Sequence, residues 1–576
     1  MAIKNFCYCI GGTGTRVAEV AGHLCAMNMV GKQDITFIIV DKDTACGGTK
    51  KAKDLLDTVT ALSDINKHPD TALIRSGNKE NEFCKSLLEV ESWDFSDVMT
   101  SLSKASDGGS SLAASLTESD EDKILLSAFY SYSEQRRNTS QGFYGHPSIG
   151  ALVFKHMIQK GKWENTDPQN FTVKPNDVAA PVKNFLSQNA ANVARIFIIG
   201  SVFGGTGASV FSNLAHHIRN SVPDDYSNRT FISGVLLLPY FSFESNNGDL
   251  IDPKEFYSKS KVALEQYHND KNLMRKNGQG SFDSLYLCGQ DPLHFTARKY
   301  SHGGKGQENY FDFVDVAAAY AMTNFFNARI NNSNGKFNLD PAYRCGMYEF
   351  DYSTTTDDVI PQVNLEHIPE DLVNSLKGMS VFVAHFITKV YLSLLKDDPS
   401  NSHILNRLFT KDELVTYANS QKSEDVKKIA DRVFGYCCSF VNFMVDLTHN
   451  GCDHTDKLIG KSYENEYAIF NRDYFDKLKL IIEQIKKGNY DSALDASNDT
   501  IARKKPSKTI FNPHPKHSEY KGSEITGLHV QDVDDHLKRL FDGNNKADNY
   551  KNNNIEVNKR VGDFVHEAFI YCYKNA

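Results

Sequence analysis

Short unbroken apolar runs alternate with stretches in which apolar residues return every three or four positions. Residues 5–10, 35–40, 196–199 and 231–238 have the length and continuity of strands buried on both faces. Helical spacing follows the first run at Val17, Val20, Ala21 and Leu24, and the third at Val210, Phe211, Leu214 and Ile218. Further helices are predicted over 253–269 and 309–328, with a strand over 282–288 between them. Strands alternating with helices predict an α/β fold built on a doubly wound parallel sheet.

Glycine-rich turns stand where strands give way to helices. The central one reads Gly200-Ser201-Val202-Phe203-Gly204-Gly205-Thr206-Gly207-Ala208-Ser209. Glycines and small hydroxyl residues at a helix N-terminus let backbone N–H groups approach a phosphate. A tight strand-to-helix turn without a ligand has the same composition. The loop lacks the Lys of an ordinary P-loop. A second such turn is Gly11-Gly12-Thr13-Gly14-Thr15, which also lacks the G-x-G-x-x-G of dinucleotide-binding folds. A third, with Gly142, Gly145, His146 and Pro147, leads into a helix over 151–160. Asp41 and Asp43 follow the second strand, where an acid binds a ribose hydroxyl, holds a metal ion through water, or simply ends the strand in solvent.

Between about 45 and 140 the pattern changes to helical patches (55–62, 83–90, 124–132) separated by loop-like segments, which predicts a large helical insertion. Beyond 330 the predicted elements are mainly helices, at 376–395, 426–447, 474–487 and 562–573. The predicted division is a nucleotide-binding domain over 1–330, including the central helix at about 309–328, and a mostly helical C-terminal domain over 331–576.

Composition narrows the class. The 576 residues leave room for about two to four domains. With 40% hydrophobic and 24% charged residues the chain is of ordinary globular type. A net charge of −8 predicts no direct nucleic-acid binding. No apolar run is expected to reach the roughly 18 residues of a membrane span. The N-terminus runs straight into a strand and predicts no signal peptide. The 11 cysteines lack zinc spacing and predict reduced, buried thiols in a cytoplasmic protein.

The order of these motifs resembles the tubulin and FtsZ family. The Gly-Gly-Thr-Gly-Ala-Ser run is similar to the signature loop GGGTG[ST]G, with Phe203 in place of its first glycine, Ala208 in place of the hydroxyl residue and Ser209 in place of its last glycine. The stretch from Gly11 to Arg16 resembles the first nucleotide loop, residues 41–44 the second and 142–150 the third. Pro239-Tyr240-Phe241-Ser242-Phe243-Glu244 is similar to the family's Pro-Phe-x-Phe-Glu, with one extra residue. The resemblance covers residues 1–330.

That resemblance implies GTP or GDP as ligand, with Mg²⁺. Gly11, Gly12, Thr13, Gly14 and Arg16 are then expected at the nucleotide together with Gly204, Gly205, Thr206, Gly207 and Ser209. Asp41 lies in the second loop. Asp43, through Mg²⁺ and water, and Gly142, Gly145 and His146 face the γ-phosphate, and Glu244 is the ribose acid. Tyr310 or Phe311 is expected to stack on the base and Asp315 to accept from the guanine edge, unless Phe311 and Asp315 are ordinary start-of-helix residues. After the central helix, Gly335-Lys336-Phe337-Asn338-Leu339-Asp340 resembles the family's catalytic loop, with Tyr343 where its second acid would stand. Asn338 and Asp340 are the catalytic expectation, and the same residues read equally as a turn. The function implied is a filament-forming, slowly hydrolysing GTPase that is a homo-oligomer. The alternatives are a guanine-nucleotide sensor or scaffold that does not polymerise, and a dinucleotide-dependent oxidoreductase.

Overall fold

The computed structural model describes residues 2–31, 33–41, 47–65, 84, 86, 88–94, 120–135, 143, 146–163, 177–222, 224–242, 253–275, 279–289, 298–299, 310–333, 336–339, 370–395, 423–449, 472–500, 530–543 and 557–575. Six strands form one parallel sheet: β1 (Ile3–Ile10), β2 (Ile35–Asp41), β3 (Leu88–Asp94), β4 (Val193–Ser201), β5 (Thr230–Leu237) and β6 (Ser284–Cys288). Their order is β3-β2-β1-β4-β5-β6. Every residue of β2, β4 and β5 is buried, which is why these strands read as unbroken apolar runs.

From the adjacent pair β1 and β4 the chain leaves in opposite directions. Helix α1 (Gly11–Ala26) carries it from β1 outward to β2, and α2 (Gly47–Ile65) packs on α1. The helix Gly205–Ser221 carries it from β4 to β5 on the other side. Right-handed crossovers running opposite ways place their helices on opposite faces. Side-chain contacts agree. Phe197 of β4 meets Phe325 and Phe326 of the helix Phe313–Asn327, at ring distances of 5.6 and 6.2 Å. That helix packs along α1. On the opposite face, a Cβ added at Gly200 or Gly234 would lie 3.0 or 2.7 Å from the ring of Phe211, so the helix Gly205–Ser221 needs glycine beneath it. A hairpin, Ile330–Ser333 with Lys336–Leu339, follows the helix Phe313–Asn327 directly.

The segment expected to be a helical insertion supplies helices at Gly47–Ile65 and Asp120–Phe129. It also supplies β3, where residues 83–90 had the spacing of a helix. β3 is an edge strand, and its sequence Leu-Glu-Val-Glu-Ser-Trp-Asp is polar for that reason. Glu89 accepts from Lys4 (2.8 Å) and Thr36 (2.7 Å), anchoring the edge to its neighbours.

Among the described residues beyond 340, all regular structure is helical. The long helix Ser423–His449 packs on α2, and its aromatic residues surround His23 of α1. His23 stacks on Phe443 with centroids 4.8 Å apart, and the edges of Tyr436 and Phe440 close the cage. Burial alone pushes the His23 imidazole down to about 3, so it stays neutral. The helix Glu370–His385 runs on through a π-helical turn, Phe386–Tyr391, and is covered by Val530–Gly543 and Val557–Asn575. Within it, Asn374–Leu395 is long and apolar enough to cross a membrane by length and composition. Of its apolar window, 83% is buried inside the protein, because other helices surround it. The described cysteines are free and buried.

Candidate functional site

In an open α/β sheet the crevice for a ligand lies beyond the carboxyl ends of the strands, where the strand order reverses. Here that point is between β1 and β4, and both strands end in a glycine turn. β1 passes straight into α1, which Gly11 permits by adopting φ +67°. A Cβ on Gly11 would lie 3.3 Å from the Cβ of Thr206 and 3.5 Å from the amide nitrogen of Gly207. The two loops therefore touch, glycine against glycine loop. One turn on, a Cβ at Gly14 would be 2.7 Å from the carbonyl carbon of Cys9, so α1 presses onto the sheet.

Neither helix that starts here is finished by a side chain. The N-cap of α1 is Ile10 and that of the helix Gly205–Ser221 is Gly204; neither makes a side-chain cap, and neither helix has an acid in its first turn. The first-turn amides, including those of Gly12 and Thr13 on one side and Thr206 and Gly207 on the other, have no side-chain acceptor from the cap. Two helix dipoles point their positive ends at one place. Gly12 is exposed, and Thr13 and Gly204 are half-buried. Thr15 donates to the Gly11 carbonyl (3.0 Å), Gly204 N–H donates to Ser201 Oγ (3.2 Å), and Ser209 donates to the Thr206 carbonyl (2.9 Å). Ser209 is buried beneath Gly150, where a Cβ would strike it. It joins the third loop's helix, Pro147–Trp163, to the central glycine turn. His146 is half-buried just before that helix, 3.9 Å from Glu134.

One turn beyond Gly12 on α1 lies a buried ionic cluster. Arg16 is 7% exposed and Asp315 fully buried. Arg16 Nε donates to Asp315 Oδ2 at 2.9 Å, Arg16 Nη2 donates to the Tyr240 hydroxyl, and that hydroxyl donates to Asp315 Oδ1. Burial opposes the guanidinium charge, but Asp315 and Tyr240 outweigh it and hold the Arg16 pKa above its ordinary value. Burial drives the Tyr240 phenol well above its usual range. Asp315 is also the third residue of the helix Phe313–Asn327. Its Oδ2 accepts from the Asp312 amide (3.0 Å), while Asp312 accepts from Val314 (3.0 Å), a complete capping box.

Both carboxylate oxygens of Asp315 accept from the protein, as the start-of-helix reading expects. Arg16 is likewise engaged inside the fold. Phe311 is buried with its ring 5.3 Å from Phe443, which leaves Tyr310, 48% exposed, as the aromatic side chain open at this helix start. Asp41 is buried at the end of β2. Asn338 lies in the hairpin, paired with Asn331. Asp43, Gly142, Gly145, Glu244 and Asp340 lie outside the described residues. Among the described residues no three His, Cys, Asp or Glu side chains cluster as a metal site would require. Tyr240 and Asp312 were not expected at the site, although Asp312-x-x-Asp315 spells the capping pattern.

Residues 146–253 match the family model described as "Tubulin like". The matched stretch holds the third loop's helix, β4, the central glycine turn, the helix Gly205–Ser221 and β5. That stretch of the chain is therefore similar to the tubulin-like family. Two solved structures are similar to the chain. One is CetZ from Methanosaeta thermophila strain DSM 6194, at 13% identity, covering 56% of this chain and 51% of that one, with a TM-score of 0.20. The other is CetZ2 from Haloferax volcanii, solved as a GTPgS-bound protofilament, at 11% identity, covering 56% of this chain and 58% of that one, with a TM-score of 0.23. The chain spans little more than half the length of either. No curated protein matches it.

Proposed function

We propose that this chain binds a guanine nucleotide, GTP or GDP, where α1 and the helix Gly205–Ser221 begin. The observation that carries the reading is the direct meeting of two glycine turns at the reversal of the sheet, each opening an uncapped helix. Such a pair fits a di- or triphosphate. First-turn amides around Gly11, Gly12, Thr13, Gly205, Thr206 and Gly207 donate to its oxygens, and the absence of side chains lets it come close. Gly142 and Gly145 are assigned to the γ-phosphate side, Glu244 to the ribose and Tyr310 to the base. Asp43 is the assigned holder of Mg²⁺, which when bound offsets phosphate charge.

The same reading extends to self-association. Asn338 and Asp340 sit at and just beyond a hairpin that leaves the nucleotide half, and in the proposed assembly they meet the nucleotide of the next copy. There Asp340 orients the attacking water. With Tyr343 in place of a second acid, turnover is slow. Two measurements test these steps. Titration calorimetry should show GTP binding that Gly205→Val abolishes; equal affinity in that variant would overturn the phosphate assignment. GTPase rate per protomer should rise with protein concentration and vanish in Asp340→Ala. A rate independent of concentration would remove the assembly step.

A further inference from the structure

Three elements border the proposed nucleotide site, and one buried cluster touches all of them. Arg16 belongs to α1, the helix of the first glycine turn. Tyr240 follows β5, and its ring meets Phe203 of the central glycine turn edge-on at 6.0 Å. Asp315 forms the capping box of the helix Phe313–Asn327, beside which Tyr310 stands. The Arg16 guanidinium also lies 5.5 Å from the Tyr240 ring centroid. Phe203 occupies the place of a glycine in the family's signature loop. Here that ring braces Tyr240 instead of leaving backbone bare.

We propose that Arg16, Tyr240 and Asp315 form one positioning unit, which fixes the base-side helix Phe313–Asn327 relative to both phosphate turns and so sets nucleotide affinity without contacting the nucleotide. The inference rests on the nucleotide-binding reading above. Its physical basis is burial and mutual saturation. The three side chains are 7%, 2% and 0% exposed, so a ligand does not reach them. The ion pair ties α1 to a helix that begins 297 residues after Arg16, counting from 16 to 313, and the shared hydroxyl of Tyr240 ties both to the end of β5. If this unit loosens, the phosphate turns keep their own contacts with each other, while the helix start drifts from them. Nucleosides should feel that change and bare phosphates should not.

The test compares Tyr240→Phe, which keeps the ring against Phe203 and removes only the hydroxyl, with Asp315→Asn, each assayed well below its melting temperature. Three probes are titrated: GTP, inorganic tripolyphosphate, and inosine triphosphate, which lacks the exocyclic amine of guanine. Both variants should bind GTP about tenfold more weakly, the usual scale for losing a hydrogen bond to a charged group. Tripolyphosphate affinity and the ratio of GTP to inosine triphosphate should stay at the parent's values. GTP affinity equal to the parent's in Tyr240→Phe would overturn the proposal. So would loss of tripolyphosphate binding, which would mean general disruption. A changed nucleotide ratio confined to Asp315→Asn would also overturn it, showing that Asp315 reads the base directly. A parent protein that binds tripolyphosphate and GTP equally well, or neither, would instead defeat the nucleotide reading itself.

Discussion

Two kinds of helix start occur in this fold. The helix Phe313–Asn327 is closed by its own side chains: Asp312 and Asp315 take up its first amides, and Arg16 neutralises the acid. The helices Gly11–Ala26 and Gly205–Ser221 begin on Ile10 and Gly204, without a cap and without an acid. A helix end that the chain completes itself has no donors left for a ligand, whereas an end left open on glycine keeps them all. In the proposed function the first start serves architecture and the other two serve binding.

The contrast breaks most visibly if the closed end is opened. Asp315→Ala removes the cap and strands the Arg16 charge in the core, so unfolding free energy should fall by about 3–5 kcal/mol. Urea denaturation measures this, and a loss below about 1 kcal/mol would mean that Arg16 finds another partner. A smaller effect tests α1 further along its length. Glu19 is half-buried, and burial raises its pKa to about 7; Asp446 adds to the rise, while Lys51 and Arg16 oppose it. A carboxyl with a raised native pKa favours the fold at acid pH, and that contribution is lost as pH climbs from its ordinary value of 4.5 through about 7. Glu19→Gln should therefore match the parent near pH 4.5 and exceed it by about 2 kcal/mol at pH 8. A melting-temperature difference that does not grow with pH would refute this. The smallest change in stability should come from giving an open end what it lacks. Gly12→Asp places an acid in the first turn of α1, where the dipole favours it by roughly 0.3–1 kcal/mol. The variant should melt no lower than the parent, yet its carboxylate should repel GTP. Undiminished GTP binding would show that this start is open for some other reason.

Much of this was legible in the sequence wherever local pattern and tertiary role coincide. β4, its glycine turn and the following helix are one continuous signal, since a strand buried on both faces has to be apolar throughout. β3 was hidden because an edge strand is half solvated, and its glutamates mimic a helix surface. Asp315 shows a different limit. Its spacing from Asp312 suits a capping box, and its position after two aromatic residues suits base reading. Its buried partner, Arg16, stands 299 positions away in the sequence. The apolar helix at 376–395 was legible although polar residues such as Ser380 and Thr388 interrupt the run; they are buried and hydrogen-bonded to their own helix, to Leu376 and Ala384.

Phe443 carries a consequence for how this chain comes apart. One ring, on a helix near residue 440, is stacked on His23 of α1 and set edge-on to Phe311 just before the helix Phe313–Asn327. The boundary drawn in sequence near 330 is therefore not a seam in space. A fragment ending at the hairpin would carry away the sheet and both glycine turns with an aromatic wound on its flank, and it would clump before it could be assayed. The two portions should melt in a single cooperative transition, so the unit to be expressed, crystallised or engineered is the whole chain.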